Sequence, residues 1–216
     1  MMIHLSVSVP FNRLLQKGLI ALSGLLWVGF LLFHLGGNWL LLDVPGKYNQ
    51  LAAALTSWRW LFHSVEILLL LLLLIHIGLS ILIRLYQRPL ALRYQHRPQH
   101  RRWLVSSTSR WMLFTGPLIL LFLIVHLQNF RFQGAERNLE HLVYQLFHSP
   151  FWVGFYELAL IPLGLHLAHG VGSGLQSLGF GHPNLTPWLP RLSVLVALLL
   201  VAGYAPIPIA IYLQSR

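Results

Sequence analysis

Cysteine is absent from the 216 residues. Its absence excludes disulfides, thiolate zinc sites, cysteine-ligated iron–sulfur clusters and covalently attached c-type haem together. Charge is nearly as scarce. Only 9% of the residues are charged, against about 25% in an ordinary soluble domain, so a fully water-exposed globule is excluded. Acid is the scarcest of all, with 5 Asp and Glu against 15 Lys and Arg and a formal net charge of +10. In a soluble protein that excess would suggest nucleic acid. Here the basic residues stand between long apolar runs in a chain that is 56% hydrophobic, which points to a membrane and to no nucleic-acid partner. No cleavable leader is expected, because the first apolar run, starting near Gly18, is long enough to span and no small-residue cleavage site follows it. What the chain has in plenty is histidine: 12 residues, more than twice the number of carboxylates.

A helix needs about 20 apolar residues to cross the hydrocarbon core. Five stretches qualify: Gly18–Leu42, Trp60–Arg84, Trp111–Phe130, Phe151–Gln176 and Leu192–Leu213. The fourth is interrupted by Glu157, Pro162, His166 and His169 but remains long enough, and a proline inside a span is tolerable where neighbouring helices satisfy the freed carbonyl. The connection from Leu85 to Arg110 holds Arg88, Arg93, Arg97, Arg101, Arg102 and Arg110, with Arg84 at its edge. Cytoplasmic connections collect Lys and Arg, so this one is expected in the cytoplasm. The N-terminus, with Arg13 and Lys17, then lies on the same side and the C-terminus outside. The expected architecture is an all-α, multi-pass protein of the cell membrane, one domain over residues 1–216. The arginine-rich connection is at least a topology determinant helped by anionic lipid heads, and it could also dock a cytoplasmic partner.

Ionisable groups inside spans are costly and usually functional. Five histidines lie well inside: His34, His76, His126, His166 and His169. With a rise of ~1.5 Å per residue, His34 lies about 24 Å from the inner end of the first span and His126 about 22 Å from that of the third. His76 and His166 lie about 12 and 15 Å from the inner ends of the second and fourth. Four histidines on four helices therefore match as two pairs at two depths. A bis-histidine haem needs two neutral imidazoles facing each other at one depth from different helices, and two such haems would make an electron path across the bilayer. Met112 sits at an interface, which argues against His/Met ligation. A single histidine could equally be a helix–helix hydrogen-bonding group. His169 is one turn from His166, and depth alone does not choose between them.

Small residues accompany the histidines: Gly36 and Gly37 after His34, Gly78 after His76, Gly164 and Gly170 around His166. They would let a porphyrin approach the backbone, and they equally promote ordinary helix packing. The first and third spans also share a pattern, with Gly24 and Gly116 ten residues before the histidine and Phe30 and Phe122 four before.

Several segments together resemble the di-haem cytochrome b membrane subunit of succinate:quinone oxidoreductases and fumarate reductases. They are Phe33-His34-Leu35-Gly36-Gly37-Asn38, Leu74-Ile75-His76-Ile77-Gly78, Ser109-Arg110-Trp111 leading to Val125-His126-Leu127, and Leu165-His166-Leu167-Ala168-His169-Gly170 with Ser173, Gln176 and Gly179 after it. The quoted segments lie on the first four of the five spans, and the last segment is the most specific part of the resemblance. It implies a five-helix haem-binding bundle with two haem b groups. His34 with His126 would hold the haem distal from the dehydrogenase, and His76 with His166 the proximal one. The family motif selects His166 over His169, and Ser173 and Arg110 join the cofactor-binding set. It further implies electron transfer and anchoring: a cytoplasmic flavoprotein and an iron–sulfur subunit as partners, a membrane quinone (menaquinone by the haem count) as substrate, and a possible higher oligomer of the complex. No succinate site belongs to the chain itself, which lacks a dinucleotide fingerprint.

The quinone and proton sites are more open. Glu66 and Glu157 stand ten and nine residues before His76 and His166, near the outer ends of their spans. Either carboxylate could accept protons from a quinol or merely hydrogen-bond a neighbour. On the inner side Arg13, Lys17, Ser23, Trp103 and Arg110 could line a quinone pocket, bind haem propionates or act as interfacial anchors. Two other readings are a di-haem cytochrome b serving a hydrogenase or formate dehydrogenase, whose docking face would be external, and a haem-free membrane scaffold.

Overall fold

The computed structural model describes residues 13–93, 99–133 and 138–214, with side chains over 13–85, 111–133 and 138–214. Among the described residues the protein is all-helical, with no strand. The helices are α1 (Arg13–Trp39), α2 (Lys47–Ser57), α3 (Arg59–Arg93), α4 (Gln99–Phe130), α5 (Leu139–Phe147), α6 (Pro150–Leu175), α7 (Leu189–Tyr204) and α8 (Pro206–Gln214). Among the described residues five segments are long and apolar enough to cross a membrane: Arg13–Leu42, Arg59–Leu85, Trp111–Phe130, Pro150–Phe180 and Leu189–Gln214. Each coincides with an expected span to within a few residues. Their outward faces are greasy, as with Ile67, Leu68, Leu71 and Leu74 along α3, all more than half exposed or nearly so. Such a surface suits lipid and not water.

The spans surround a diagonal cross. α1 packs on α3 and on α6, and α6 packs on α4 and α7. No comparable packing joins α3 to α4 among the described residues. Going round the bundle, the order is α3, α1, α6, α4, so α1 faces α4 across the middle and α3 faces α6. With lipid as apolar as leucine, close approach of backbones is what holds such helices together. A Cβ on Gly172 would land 2.6 Å from Ser193 Oγ and 3.0 Å from the Leu189 carbonyl oxygen, and one on Gly164 would land 3.0 Å from Val201. Those two glycines let α7 lie on α6. Gly164, a residue that could have admitted a porphyrin, is thus committed to helix packing. A Cβ on Gly203 would meet Leu35, so the fifth span also closes on α1. Two hydrogen bonds fasten that contact: Trp39 Nε1 donates to the Gly203 carbonyl at 3.1 Å, and the Tyr204 hydroxyl donates to the Leu31 carbonyl at 2.7 Å.

Three features depart from five plain spans. The fifth is broken at Ala205 into α7 and α8, because Pro206 and Pro208 cannot donate backbone hydrogen bonds. The fourth ends in a wide turn over Gln176–Phe180, where Gly179 has φ 101°, a value that favours glycine. The connections at the end opposite the arginines are helical. Glu140 explains why: both its carboxylate oxygens accept from the Gly46 backbone N–H (3.1 and 3.0 Å), and Oε2 also accepts from Asn49 Nδ2 at 3.2 Å. A carboxylate from α5 thereby caps the N-terminus of α2, where the helix dipole favours negative charge. Asn138 caps α5 in turn, accepting from the His141 N–H at 3.0 Å.

Candidate functional site

Two histidine pairs lie on the two diagonals. His34 of α1 and His126 of α4 have ring centroids 5.9 Å apart, with planes at 87°. His76 of α3 and His166 of α6 have centroids 6.3 Å apart, with planes at 58°. The second pair is nearer the end that carries the arginine-rich α3–α4 connection; the first is nearer the α2/α5 end. It is His166 whose ring faces His76, while His169 lies one turn on and is partly exposed.

Different chemistry surrounds the two pairs. The His34/His126 pair stands in aromatic rings. Phe30 stacks on His34 at 5.4 Å, Tyr204 lies 6.3 Å from it, and Phe122, Phe130 and Tyr156 lie 5.6, 5.2 and 6.0 Å from His126. The repeated Phe four residues before each histidine has a local cause, since positions i and i+4 share a helix face. His126 Nδ1 is buried with no hydrogen-bond partner among the described residues. The His76/His166 pair stands instead among oxygens. His76 Nδ1 lies 3.0 Å from the Ile20 carbonyl and 3.3 Å from Ser23 Oγ, and His166 Nδ1 lies 3.1 Å from Thr115 Oγ1. Both hydroxyl residues are nearly inaccessible, Ser23 at 2% and Thr115 at 3%. Gly24 makes the approach possible: a Cβ there would lie 2.9 Å from His76 Cε1. Gly116, the matching glycine on α4, has nothing within 4 Å of such a Cβ.

These residues fit a group held by two axial imidazoles. Metal–imidazole bonds of ~2 Å on each side, with ring centres about 1 Å behind the nitrogens, call for centroids about 6 Å apart. Both pairs have that spacing. A backbone carbonyl only accepts, so His76 is protonated on Nδ1 and its Nε2 is bare, as a metal ligand's must be. Among the described residues no three His, Asp or Glu side chains converge, and each pair stands as two histidines. Gln16 Nε2 and Trp27 Nε1 are buried donors without partners among the described residues. They lie one turn either side of Ile20 and Ser23 on the stripe of α1 that meets His76, where acceptor oxygens of a bound group would satisfy them.

The remaining candidates separate. Ser23 belongs to the His76 site. Ser173 is exposed, and its carbonyl accepts from the Ser177 hydroxyl at 2.9 Å. Arg13 and Lys17 are exposed at the start of α1. The side chains of Trp103 and Arg110, and of Arg88, Arg93, Arg97, Arg101 and Arg102, lie outside the described residues. Glu66 is engaged: Arg131 donates to its two oxygens through Nε at 2.5 Å and Nη2 at 3.1 Å, and His63 Nδ1 lies 3.0 Å away. The hydrogen bond to Glu66 pushes Arg131 still further above its ordinary value, so it stays charged. This pair ties α3 to the end of α4 on the side where the two helices otherwise have no comparable packing. Glu157 is half-buried, with Oε1 buried and unpartnered among the described residues. Nine residues from His166, it stands on the opposite face of α6 from that histidine.

No protein-family model, no curated protein and no solved structure matches the chain. The functional reading therefore rests on the residues themselves. Those that sequence reasoning missed are Thr115, Tyr156, Tyr204 and the Ile20 carbonyl. A threonine or tyrosine in a span is too common to stand out, and a carbonyl leaves no trace in sequence.

Proposed function

We propose that the protein is a membrane-embedded di-haem b electron-transfer subunit, with His34 and His126 as axial ligands of one haem and His76 and His166 of the other. The observation that carries this reading is the facing of two histidine pairs across the two diagonals of one bundle, at two levels and at ligand spacing. A bis-imidazole haem supplies one-electron transfer with no open coordination position. The chain's own part is orientation and insulation. Ile20 and Thr115 hold the imidazoles of one pair, aromatic rings enclose the other, and the lipid-facing leucines exclude water.

Within this reading the resemblance to the membrane anchor of succinate:quinone oxidoreductase supplies the physiological setting. Electrons pass between a cytoplasmic iron–sulfur subunit, itself served by a flavoprotein, and a membrane quinone of the menaquinone type. Docking falls to the end of the bundle where α3 runs to Arg93 and α4 begins at Gln99, the end carrying the arginines. The positive charge of that end argues for a cytoplasmic partner and against an external hydrogenase or formate dehydrogenase. Glu66, held by Arg131 and His63, is a weaker candidate for a quinol's proton acceptor than a free carboxylate would be. The test is a reduced-minus-oxidised spectrum of the purified chain with haem quantified. Two low-spin b haems per chain are expected, and none would overturn the reading.

A further inference from the structure

We propose that Thr115 is a positioning residue for His166: its hydroxyl fixes the imidazole with the proton on Nδ1 and the lone pair of Nε2 directed to the shared metal. This rests on the reading of His76 and His166 as a ligand pair and goes beyond it in naming what tunes that pair. Thr115 sits four residues after Trp111 on α4, and its Oγ1 lies 3.0 Å from the Trp111 carbonyl oxygen and 3.1 Å from His166 Nδ1. A hydroxyl has one proton to give and two lone pairs to offer. The carbonyl can only accept, so the Thr115 proton goes to Trp111 and an oxygen lone pair is left facing His166. Nδ1 must then be the donor. The opposite ring has the same state by a separate route, since His76 Nδ1 donates to the Ile20 carbonyl at 3.0 Å. Ser23 repeats the device on α1, with its hydroxyl 2.7 Å from the Leu19 carbonyl and 3.3 Å from His76 Nδ1.

An acceptor on the far nitrogen makes an imidazole a stronger donor to the metal, which favours the oxidised ion. The His34/His126 pair lacks this arrangement at His126, whose Nδ1 has no partner among the described residues. Thr115 therefore lowers the potential of one haem and leaves the other untouched.

The test compares Thr115→Val with Thr115→Ser in the full chain purified from membranes. The readouts are potentiometric titration of each haem, the ferric low-spin electron paramagnetic resonance signals, and haem per chain. Valine keeps the shape and removes the acceptor; serine keeps the acceptor. Removing such a partner costs a metal site about 10–100-fold in affinity or activity; with a tenfold loss borne by the oxidised form, Thr115→Val is expected to shift one haem's redox equilibrium toward the reduced form by about 59 mV for one electron. The other haem should not move, and serine should restore the wild-type value. Loss of a single haem in the valine variant with recovery in the serine variant also supports the assignment. Two haems in the wild type with neither potential moved by valine would overturn this inference alone, as would equal shifts in both variants. A wild-type chain with no Soret band would overturn the haem reading and this inference with it.

Discussion

The His34/His126 and His76/His166 pairs are nearly identical in spacing and differ in almost everything around them. The first is enclosed by Phe30, Phe122, Phe130, Tyr156 and Tyr204, whose rings fill space and give no hydrogen bond to the buried His126 Nδ1. The second is gripped at both Nδ1 atoms by oxygens from α1 and α4. One site is defined by shape, the other by hydrogen bonds. Aromatic packing tolerates small displacements at low cost, whereas a hydrogen bond weakens steeply with distance and angle. On the di-haem reading, two sites built from the same pair of histidines would thus differ in stiffness and in the electron density that their imidazoles offer.

The strongest way to break the comparison is to remove a ligand from each side. If the protein holds two haems as proposed, His76→Ala and His126→Ala should each remove a different one, halving haem per chain and leaving one midpoint potential apiece. Loss of the same haem in both would end the pairing. Next is Gly24→Ala. Its methyl would stand 2.9 Å from His76 Cε1, and overpacking of this kind costs about 1–3 kcal/mol. Weaker retention of the His76/His166 haem during purification is expected, with the other retained; equal loss of both would show that the glycine supports the bundle and not one site.

Tyr204→Phe is milder. It removes the hydrogen bond to the Leu31 carbonyl, a contact worth about 0.6 kcal/mol within a membrane. A slightly lower thermal midpoint in detergent, with both haems present, is the expected result. The smallest structural effect is expected from Glu66→Gln, since the ion pair to Arg131 is partly exposed and such pairs contribute about 0.2–1 kcal/mol. Haem content should stay intact while quinol oxidation slows. Unchanged turnover would leave Glu66 only its tie to Arg131.

Hydropathy made the five spans readable because a membrane imposes a length and an apolar composition that any window can detect. Depth arithmetic matched the same histidines that the structure brings face to face, since a straight helix turns residue number into height. It could not choose between His166 and His169, which are separated by one turn; in the structure it is the His166 ring that faces His76, and ring direction is not a matter of depth. The helices α2 and α5 were not visible in advance because what caps α2 is Glu140, some ninety positions away along the chain. Arg131 was hidden from Glu66 for the same reason. Sequence spacing reports neighbours along one helix and is silent about partners on another.

The clasp of α1 on its neighbours has one more consequence. Two of its grips, Ile20 on His76 and Leu31 on Tyr204, are made by peptide carbonyls. Ile20→Val and Leu31→Val should therefore be nearly silent, although both positions supply contact atoms. A residue-by-residue substitution survey would score them as dispensable and assign the whole interaction to the histidine and the tyrosine. Recognition written in the main chain is carried by any side chain that keeps the helix, so that wording can drift widely while the joint itself stays in place.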